Sequence, residues 1–258
     1  MASLVLSKQH PVTEAGKAYL QALTEWLQDT RLMSEAVHRL SKDYQAKGTV
    51  KFDVQSWPKR KSSDELTSFQ IKPIPLGQRM DQILANLWRN RFVVLESLWE
   101  EYLQELVKEL RHRDATLFEP FCEREFMAEV VREVLTDKLG TVDEVKDEVA
   151  ARFAAGITRQ PWDQQWKQLA RLEIGLSDRD REQPWFPNLD SYFEMRNCII
   201  HRKSRVSPQL HKKTSYYRDN NLEIIDVWPP HLDFYRHQFI ACLLYLESKI
   251  ASKFNISG

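Results

Sequence analysis

The sequence predicts a mainly α-helical protein with one small β element. Gly and Pro are scarce, with seven and eleven among 258 residues, and this composition is typical of helical folds rather than of Gly-rich β-sandwiches. Several long stretches repeat apolar residues at three- and four-residue steps, as one buried helix face requires. Apolar residues make up 42% of the chain, which is enough to build a substantial core.

The first predicted helix extends from residue 12 to about residue 45, and Gly48 ends its pattern. Two segments with alternating apolar and polar residues follow, TVKFDV and LTSFQI. They flank SWPKRKSSD, a stretch of turn-forming and basic residues, so we expect a small β-hairpin, either as an insertion or as part of an extension. The helix and the hairpin together form a predicted N-terminal extension, residues 1–78.

The strongest helical pattern begins near Arg79 and opens the predicted main domain, residues 79–258. An apolar stripe runs along this helix, and most of its glutamates lie off the stripe. Further helices are predicted at 120–139, 142–155, 162–172 and 231–254. The stretch SDRDREQPWFPN is predicted to be a loop, because Pro184 and Pro187 disfavour helix.

A helix that carries the motif RNCIIH is predicted to begin near Ser191. Ser191 and Glu194 have the spacing of a capping box, in which each side chain accepts a backbone N–H of the other residue. Asn188 or Asp190 is an alternative cap. After this helix we expect a polar loop over 203–221, and LEIIDVWPP then fits a short strand.

The charge is balanced overall and uneven along the chain. The 37 basic and 37 acidic residues argue against a protein that coats nucleic acid over its whole surface. Residues 195–218 hold seven Lys or Arg and no acid, whereas residues 94–149 hold sixteen acidic and seven basic side chains. The first segment could attract phosphate and the second a basic partner, or both could be ordinary solvated surface.

The cysteines and the hydropathy pattern indicate where the chain resides. The three cysteines are isolated, so we expect free thiols in a reducing compartment: Cys122, Cys198 and Cys242. No apolar run is long enough to span a bilayer, and the N-terminus lacks the pattern of a secretion signal. We therefore expect a cytoplasmic protein without a membrane segment. His and Cys spacing matches no known metal site, so neither a metal nor a cofactor is expected.

Arg196, Asn197 and His201 form the candidate catalytic set. Asn197 and His201 share a helix face, and Arg196 lies roughly 140° around the axis from His201, within reach of a common ligand for long side chains. The set suits RNA cleavage without a metal, in which the 2′-OH attacks its own phosphate. Imidazole can move the protons near neutral pH, guanidinium can bind the phosphate, and the amide can hold a phosphate oxygen or the His201 tautomer.

One Arg and one His are few for an acid, a base and a charge clamp, so a twofold dimer that pools two copies is mechanistically attractive. Five cations downstream are the predicted RNA-binding residues: Arg202, Lys203, Arg205, Lys212 and Lys213. Ile199 and Ile200 are expected to anchor the other side of the helix in the core. A competing interpretation is a solvated helix end, where cations favour the helix dipole. Cys198 lacks the third orienting group that a Cys–His nucleophile needs.

The motif RNCIIH resembles the Arg-polar-X-X-X-His motif of HEPN domains, and RFVVLESLWEEYLQELVKEL resembles the helix that opens the bundle in bacterial HEPN families of the toxin and defence type. The resemblance covers roughly residues 79–254. It implies an HEPN-like helical bundle that dimerises with its motif helices facing each other.

In active members the resemblance also implies metal-independent endoribonuclease activity, often as a toxin restrained by an antitoxin or as a phage-defence effector. Carried over to this sequence, Arg196 and His201 are the catalytic pair, and Asn197 is the variable polar position. Some HEPN domains are inactive, so a non-catalytic module that binds RNA or scaffolds a partner protein is the alternative.

Overall fold

The computed structural model describes residues 11–47, 76–114 and 141–256, together with positions 117, 132 and 136. Within these residues the protein is mainly α-helical, as the sequence predicts. The α-helices there are α1 (Glu14–Lys47), α2 (Leu76–Arg113), α3 (Val142–Thr158), α4 (Trp162–Ala170), α5 (Trp185–His201), α6 (Pro208–Lys213), α7 (Ser215–Asp219) and α8 (Pro229–Phe254). A 3-10 helix, Asp178–Glu182, precedes α5.

The long helices lie where the apolar periodicity predicts them, with ends shifted by a few residues. The predicted β-hairpin lies outside the described residues, and so does nearly all of the predicted helix at 120–139. Among the described residues there is no β-strand, and pairing is limited to an isolated antiparallel bridge between Arg205 and Ile224. The short strand expected in LEIIDVWPP is therefore wrong.

The polar loop expected at 203–221 is wrong too, because α6 and α7 occupy most of it. The start of α6 is set by a Ser-Pro pair, Ser207 and Pro208, inside this polar stretch. Ser207 is the N-cap, and its Oγ accepts a hydrogen bond of 3.0 Å from the Leu210 N–H. Pro208 occupies the first helical position, where its missing N–H costs nothing.

Helix α5 begins at Trp185 rather than near Ser191, so the predicted capping box and the predicted loop before it are wrong. Pro187 lies in the first turn, where a backbone N–H has no partner within the helix in any case. Ser191 lies inside the helix, and its Oγ donates to the Asn188 carbonyl at 2.7 Å. The sequence pattern fits a cap, but the prolines permit an earlier start.

Helix α2 is the centre of the fold, since it packs against α1, α3, α5 and α8. Aromatic side chains fill much of the core, and Trp162 stacks on Phe193 with ring centroids 5.2 Å apart. The largest fully buried side chains include Trp99, Trp162, Trp166, Tyr192, Phe92 and Phe239. Stacked and edge-to-face aromatic pairs stabilise such a core beyond the burial of their area.

The N-terminus of α1 is held by a buried carboxylate from α8. Glu247 Oε2 accepts the backbone N–H groups of Val12 and Thr13, each at 2.9 Å. Its Oε1 accepts the Thr13 hydroxyl at 2.6 Å and the Tyr102 hydroxyl at 3.0 Å. One side chain therefore ties α1, α2 and α8 together and satisfies polar groups that the core would otherwise bury unpaired.

Helix α1 belongs to the same core as the rest of the bundle. Its Tyr19, Leu23 and Trp26 are buried in one cluster with side chains of α2 and α8. The division of the chain into residues 1–78 and 79–258 stays a prediction. Among the helices that the structure describes, none combines the length and the apolar character needed to cross a membrane.

Candidate functional site

The motif helix α5 packs against α2 in a fixed register. The Tyr192 hydroxyl donates to the Phe92 carbonyl at 2.5 Å, and the two rings lie 4.5 Å apart. Four residues later on each helix, Arg196 meets Glu96. Because both contacts advance by one turn, α2 and α5 run in the same direction here, and the packing of Tyr192 determines where Arg196 lies.

Arg196 forms an ion pair with Glu96, in which its Nε faces the Oε2 of the carboxylate. Both atoms are shielded from solvent. The Glu96 side chain is 6% exposed and that of Arg196 is 23% exposed. Arg196 Nη1 also donates to Asn197 Oδ1 at 3.2 Å. The guanidinium is thus held on two sides before any ligand binds.

Burial dominates the electrostatics of this ion pair. It raises the pKa of Glu96 to about 7 although the Arg196 guanidinium acts in the opposite direction, and the nearby Glu100 raises that pKa further. Burial also raises the pKa of Glu100, again against the effect of Arg196. Near neutral pH the carboxyl that holds Arg196 is therefore divided between its ionised and neutral forms.

His201 is the last residue of α5, and its side chain is exposed. No hydrogen bond joins its ring to Arg196, Asn197 or any other residue that the structure describes. It lies five positions after Arg196 on the helix, a rise of about 7.5 Å. The structure thus places the three predicted catalytic residues on one helix end, with Arg196 half-buried and His201 open to solvent.

Only one of the two isoleucines in the motif follows the prediction. Ile199 packs partly against the core, whereas Ile200 is 43% exposed. The reason is helical phase, since Cys198 is fully buried and Ile200 lies about 200° around the axis from it. Ile200 is therefore an apolar side chain on the surface directly beside His201.

The turn after α5 is tied down by backbone hydrogen bonds. Lys203 and Ser204 adopt left-handed conformations, with φ of 52° and 63°. The Ser204 N–H donates to the Cys198 carbonyl at 3.0 Å, which closes the helix end. Two further backbone hydrogen bonds of 2.8 Å join this turn to residues 223–225. The backbone that carries the cations next to His201 is consequently constrained.

The five predicted RNA-binding cations fall into two groups. All are exposed: Arg202, Lys203, Arg205, Lys212 and Lys213. The first three lie in the turn beside His201. The two lysines lie on α6, which runs back along α5, and Lys213 Nζ pairs with Asp190 at 2.8 Å. Because Asp190 precedes His201 by about three helical turns, or roughly 16 Å, Lys213 lies away from the motif end of α5.

Sequence reasoning missed Glu96 and Glu100. A signal was present, because Glu96 lies in phase with Phe92 and Trp99 on the apolar stripe of α2 and so occupies a core-facing position. A glutamate at such a position needs a partner, and a buried or half-buried cation is the usual one. Which cation it meets depends on the packing of two helices that are distant in sequence.

Other candidate sites in the described residues are less suited to chemistry. Cys198 and Cys242 are free and buried, which fits small core residues rather than a nucleophile. Among the described residues, no group of three or more His, Cys, Asp or Glu side chains could hold a metal ion. A shallow cavity of about 230 Å³ is lined by Trp88, Trp228, Asp226 and neighbouring residues, and it contains none of the motif residues.

The chain matches no family model, no curated protein and no solved structure. The likeness to HEPN domains therefore stays a prediction from the two sequence motifs.

Proposed function

We propose that this protein is a metal-independent endoribonuclease of the HEPN type, with Arg196, Asn197 and His201 as its catalytic residues. The observation that carries the proposal is the arrangement at the end of α5. A guanidinium oriented by Glu96 lies about one and a half helical turns before an exposed imidazole. A constrained turn with three exposed cations follows directly.

The chemistry assigned to these groups is internal transesterification of RNA. The ribose 2′-oxygen forms a bond to the adjacent phosphorus, and the bond from phosphorus to the 5′-oxygen breaks. A base accepts the 2′-OH proton and an acid supplies a proton to the leaving oxygen, which are roles that imidazole performs near neutral pH. Arg196 stabilises the charge that develops on the phosphoryl oxygens. The products are a 2′,3′-cyclic phosphate and a 5′-hydroxyl.

A second copy of the chain completes this site in the proposal. One chain brings one exposed histidine to the end of α5, whereas the reaction uses both a base and an acid. Pairing two motif helices across a twofold axis supplies the second imidazole. The exposed Ile200 beside His201 supports such pairing, because an apolar side chain at the rim gains from being covered.

The biological setting follows from the same resemblance. We place the protein in the cytoplasm as a toxin or phage-defence effector, with RNA as substrate and with an antitoxin or defence-system protein as a restraining partner. Acidic side chains on α2 and α3 such as Glu101 are exposed and suit a basic partner surface, which would compete with Lys108 for Glu105 and with Arg111 for Asp147.

A non-catalytic module is the second candidate, and one observation favours it. Glu96 and Glu100 place two carboxyls near the guanidinium that would bind phosphate, and ionised carboxylates repel an anion. In that case the exposed cations of the turn bind RNA, or another surface scaffolds a partner, and nothing is cleaved.

The decisive experiment compares wild type with His201→Ala on total RNA and tRNA in EDTA. We expect cleavage by the wild type and a loss of about 100-fold or more in the variant, since one imidazole carries a proton transfer. His237→Ala is the matched control, because it removes an exposed histidine from α8, outside the motif. Cleavage products should carry 5′-hydroxyl ends.

Expression in cells gives a second readout of the same proposal. Growth arrest by the wild type should be relieved by His201→Ala and kept by His237→Ala. Intact RNA with folded, dimeric wild type would favour the non-catalytic module, which salt-sensitive RNA binding without products would then identify.

A further inference from the structure

The packing of α2 against α5 restricts the position of one side chain, that of Arg196. Tyr192 and Phe92 set the register through a ring contact and a hydrogen bond to backbone. One turn further, Glu96 and Arg196 meet across the same interface. Since both residues of the pair sit on long helices anchored in the core, the guanidinium has little freedom at its Nε end.

Some N–H donors of the Arg196 guanidinium have no hydrogen-bond partner among the described residues. A guanidinium carries five N–H donors and no acceptor. Nε is taken by Glu96, and one Nη1 hydrogen is taken by Asn197 Oδ1. The remaining donors have no hydrogen-bond partner among the described residues, on a side chain that is 23% exposed. They are the ones free to receive a phosphate.

We infer that Glu96 is the positioning residue for Arg196, holding the guanidinium so that its unused N–H groups receive the RNA phosphate. The inference rests on the proposed function, since positioning has a purpose only where Arg196 acts on a ligand. Glu96 itself touches no substrate. It acts through Arg196, as an anchoring carboxylate orients a charged group whose geometry must be set before the reaction.

This role requires the ionised form of Glu96. The groups that face its carboxyl are Glu100 on its own helix and Arg196 and Tyr192 on α5. Burial raises the pKa of the Tyr192 phenol, so that group stays neutral and keeps donating to the Phe92 carbonyl. Since the pKa of Glu96 is about 7, acidification below neutrality discharges the carboxylate and weakens its hold on Arg196.

The test is a pair of isosteric substitutions, Glu96→Gln and Glu100→Gln. Glu100 lies one turn away and near the same guanidinium, but it makes no salt bridge with it. Steady-state cleavage of a defined RNA is measured in EDTA from pH 5.5 to 8.5. We expect Glu96→Gln to lower kcat about tenfold or more at pH 8 with KM little changed. Glu100→Gln keeps the contact between Glu96 and Arg196, and because it removes a charge that raises the pKa of Glu96, it should shift the loss of rate on acidification to lower pH.

The pH profile separates positioning from a merely structural role. The ratio of wild-type to Glu96→Gln rates cancels every pH-dependent contribution that the two proteins share. That ratio should rise with pH through about 7, where Glu96 ionises, and level off above it. A ratio that is flat across the range, or a Glu96→Gln protein as active as the wild type, overturns the inference while the proposed function stands.

If the proposed function is wrong, the result differs from a failure of this inference, because the wild type itself then leaves RNA intact. In that case Glu96 has no catalytic role either. A direct readout of the contact accompanies the kinetics. The Arg196 Nε–H resonance should be protected from solvent exchange in wild type and in Glu100→Gln, and exposed to it in Glu96→Gln.

If Glu96→Gln fails to fold, Glu96→Asp replaces it, since it keeps the charge and withdraws it by one methylene. Glu96→Asp should have a lower rate than the wild type and should still lose activity on acidification, because it keeps a titratable carboxyl. Full wild-type activity of Glu96→Asp would overturn the inference.

Discussion

At the scale of single residues, the ionised form of Glu96 works against the stability of the fold. A carboxyl in solution has a pKa near 4.5, and burial raises that of Glu96 to about 7. The folded protein therefore binds this proton more tightly than the unfolded chain does. The favourable contribution of the neutral form is fully present below about pH 4.5 and is lost as pH rises through about 7, which is the reverse of a carboxylate stabilised by its ion pair.

The decrease in stability as Glu96 ionises can be measured. Relative to Glu96→Gln, which cannot titrate at that position, the wild type should lose on the order of 1–3 kcal/mol of unfolding free energy between pH 5 and pH 8. Urea denaturation of both proteins at the two pH values gives the difference directly. A difference that stays constant with pH would show that burial does not govern the ionisation of Glu96.

The residues of the candidate site were unequally predictable from sequence. Arg196, Asn197 and His201 could be singled out because polar side chains interrupt an apolar run and match a short motif. Glu96 could not be assigned to Arg196, because that pairing depends on the register of α2 against α5, which Phe92 and Tyr192 set through tertiary packing. Local sequence carries the identity of the groups but not the contact between them.

At the scale of secondary-structure elements, periodicity predicts the helices better than their ends. The apolar stripes of α2 and α8 are long enough to outweigh any local ambiguity, so their existence could be predicted. The start of α5 could not, because proline is compatible both with a loop and with the first turn of a helix. Residues 203–221 looked polar because α6 and α7 are short and bury few side chains, chiefly Leu210 and Tyr217.

Helix α1 offers a matched test of close packing at its N-terminus. A Cβ at Gly16 would lie 2.5 Å from Glu247 Oε1 and 2.8 Å from the Pro11 Cβ, so Gly16→Ala should destabilise the protein by about 1–3 kcal/mol. Gly156 in α3 has nothing within 4 Å of the same position. There, Gly156→Ala should be neutral or stabilise the helix by up to about 1 kcal/mol. Thermal unfolding monitored by circular dichroism compares the two, and equal effects would contradict this packing.

At the scale of the whole molecule, the proposed dimer would bring together two surfaces at the motif ends of α5 that are cationic and partly apolar. The net charge is zero, so there is no general repulsion between copies. Three exposed cations follow His201 in the next turn, and the apolar Ile200 precedes it. A dimer formed here would place both sets of cations around one RNA strand.

The proposed dimer can be tested by a charge at its rim. Ile200→Asp should shift the protein from dimer to monomer and reduce cleavage strongly, because a buried unpaired carboxylate disfavours association. Ile83→Asp is the control, since Ile83 is 52% exposed on α2, outside the motif helix. Light scattering coupled to size-exclusion chromatography reports the mass. An unchanged mass for Ile200→Asp would exclude this face as the interface.

The anchoring of α1 by Glu247 has a consequence for how the chain folds during its synthesis. The bonded groups are separated by 235 positions between Val12 and Glu247, so the first described helix cannot complete its N-terminal hydrogen bonds until the last one has been translated. Such long-range closure is slow relative to helix formation. Nascent chains that end before α8 leave the start of α1 without its acceptor and α2 without one of its four neighbouring helices. The proposed nuclease would therefore acquire its assembled form only after α8 has been synthesised, when a partner translated alongside it could already be present.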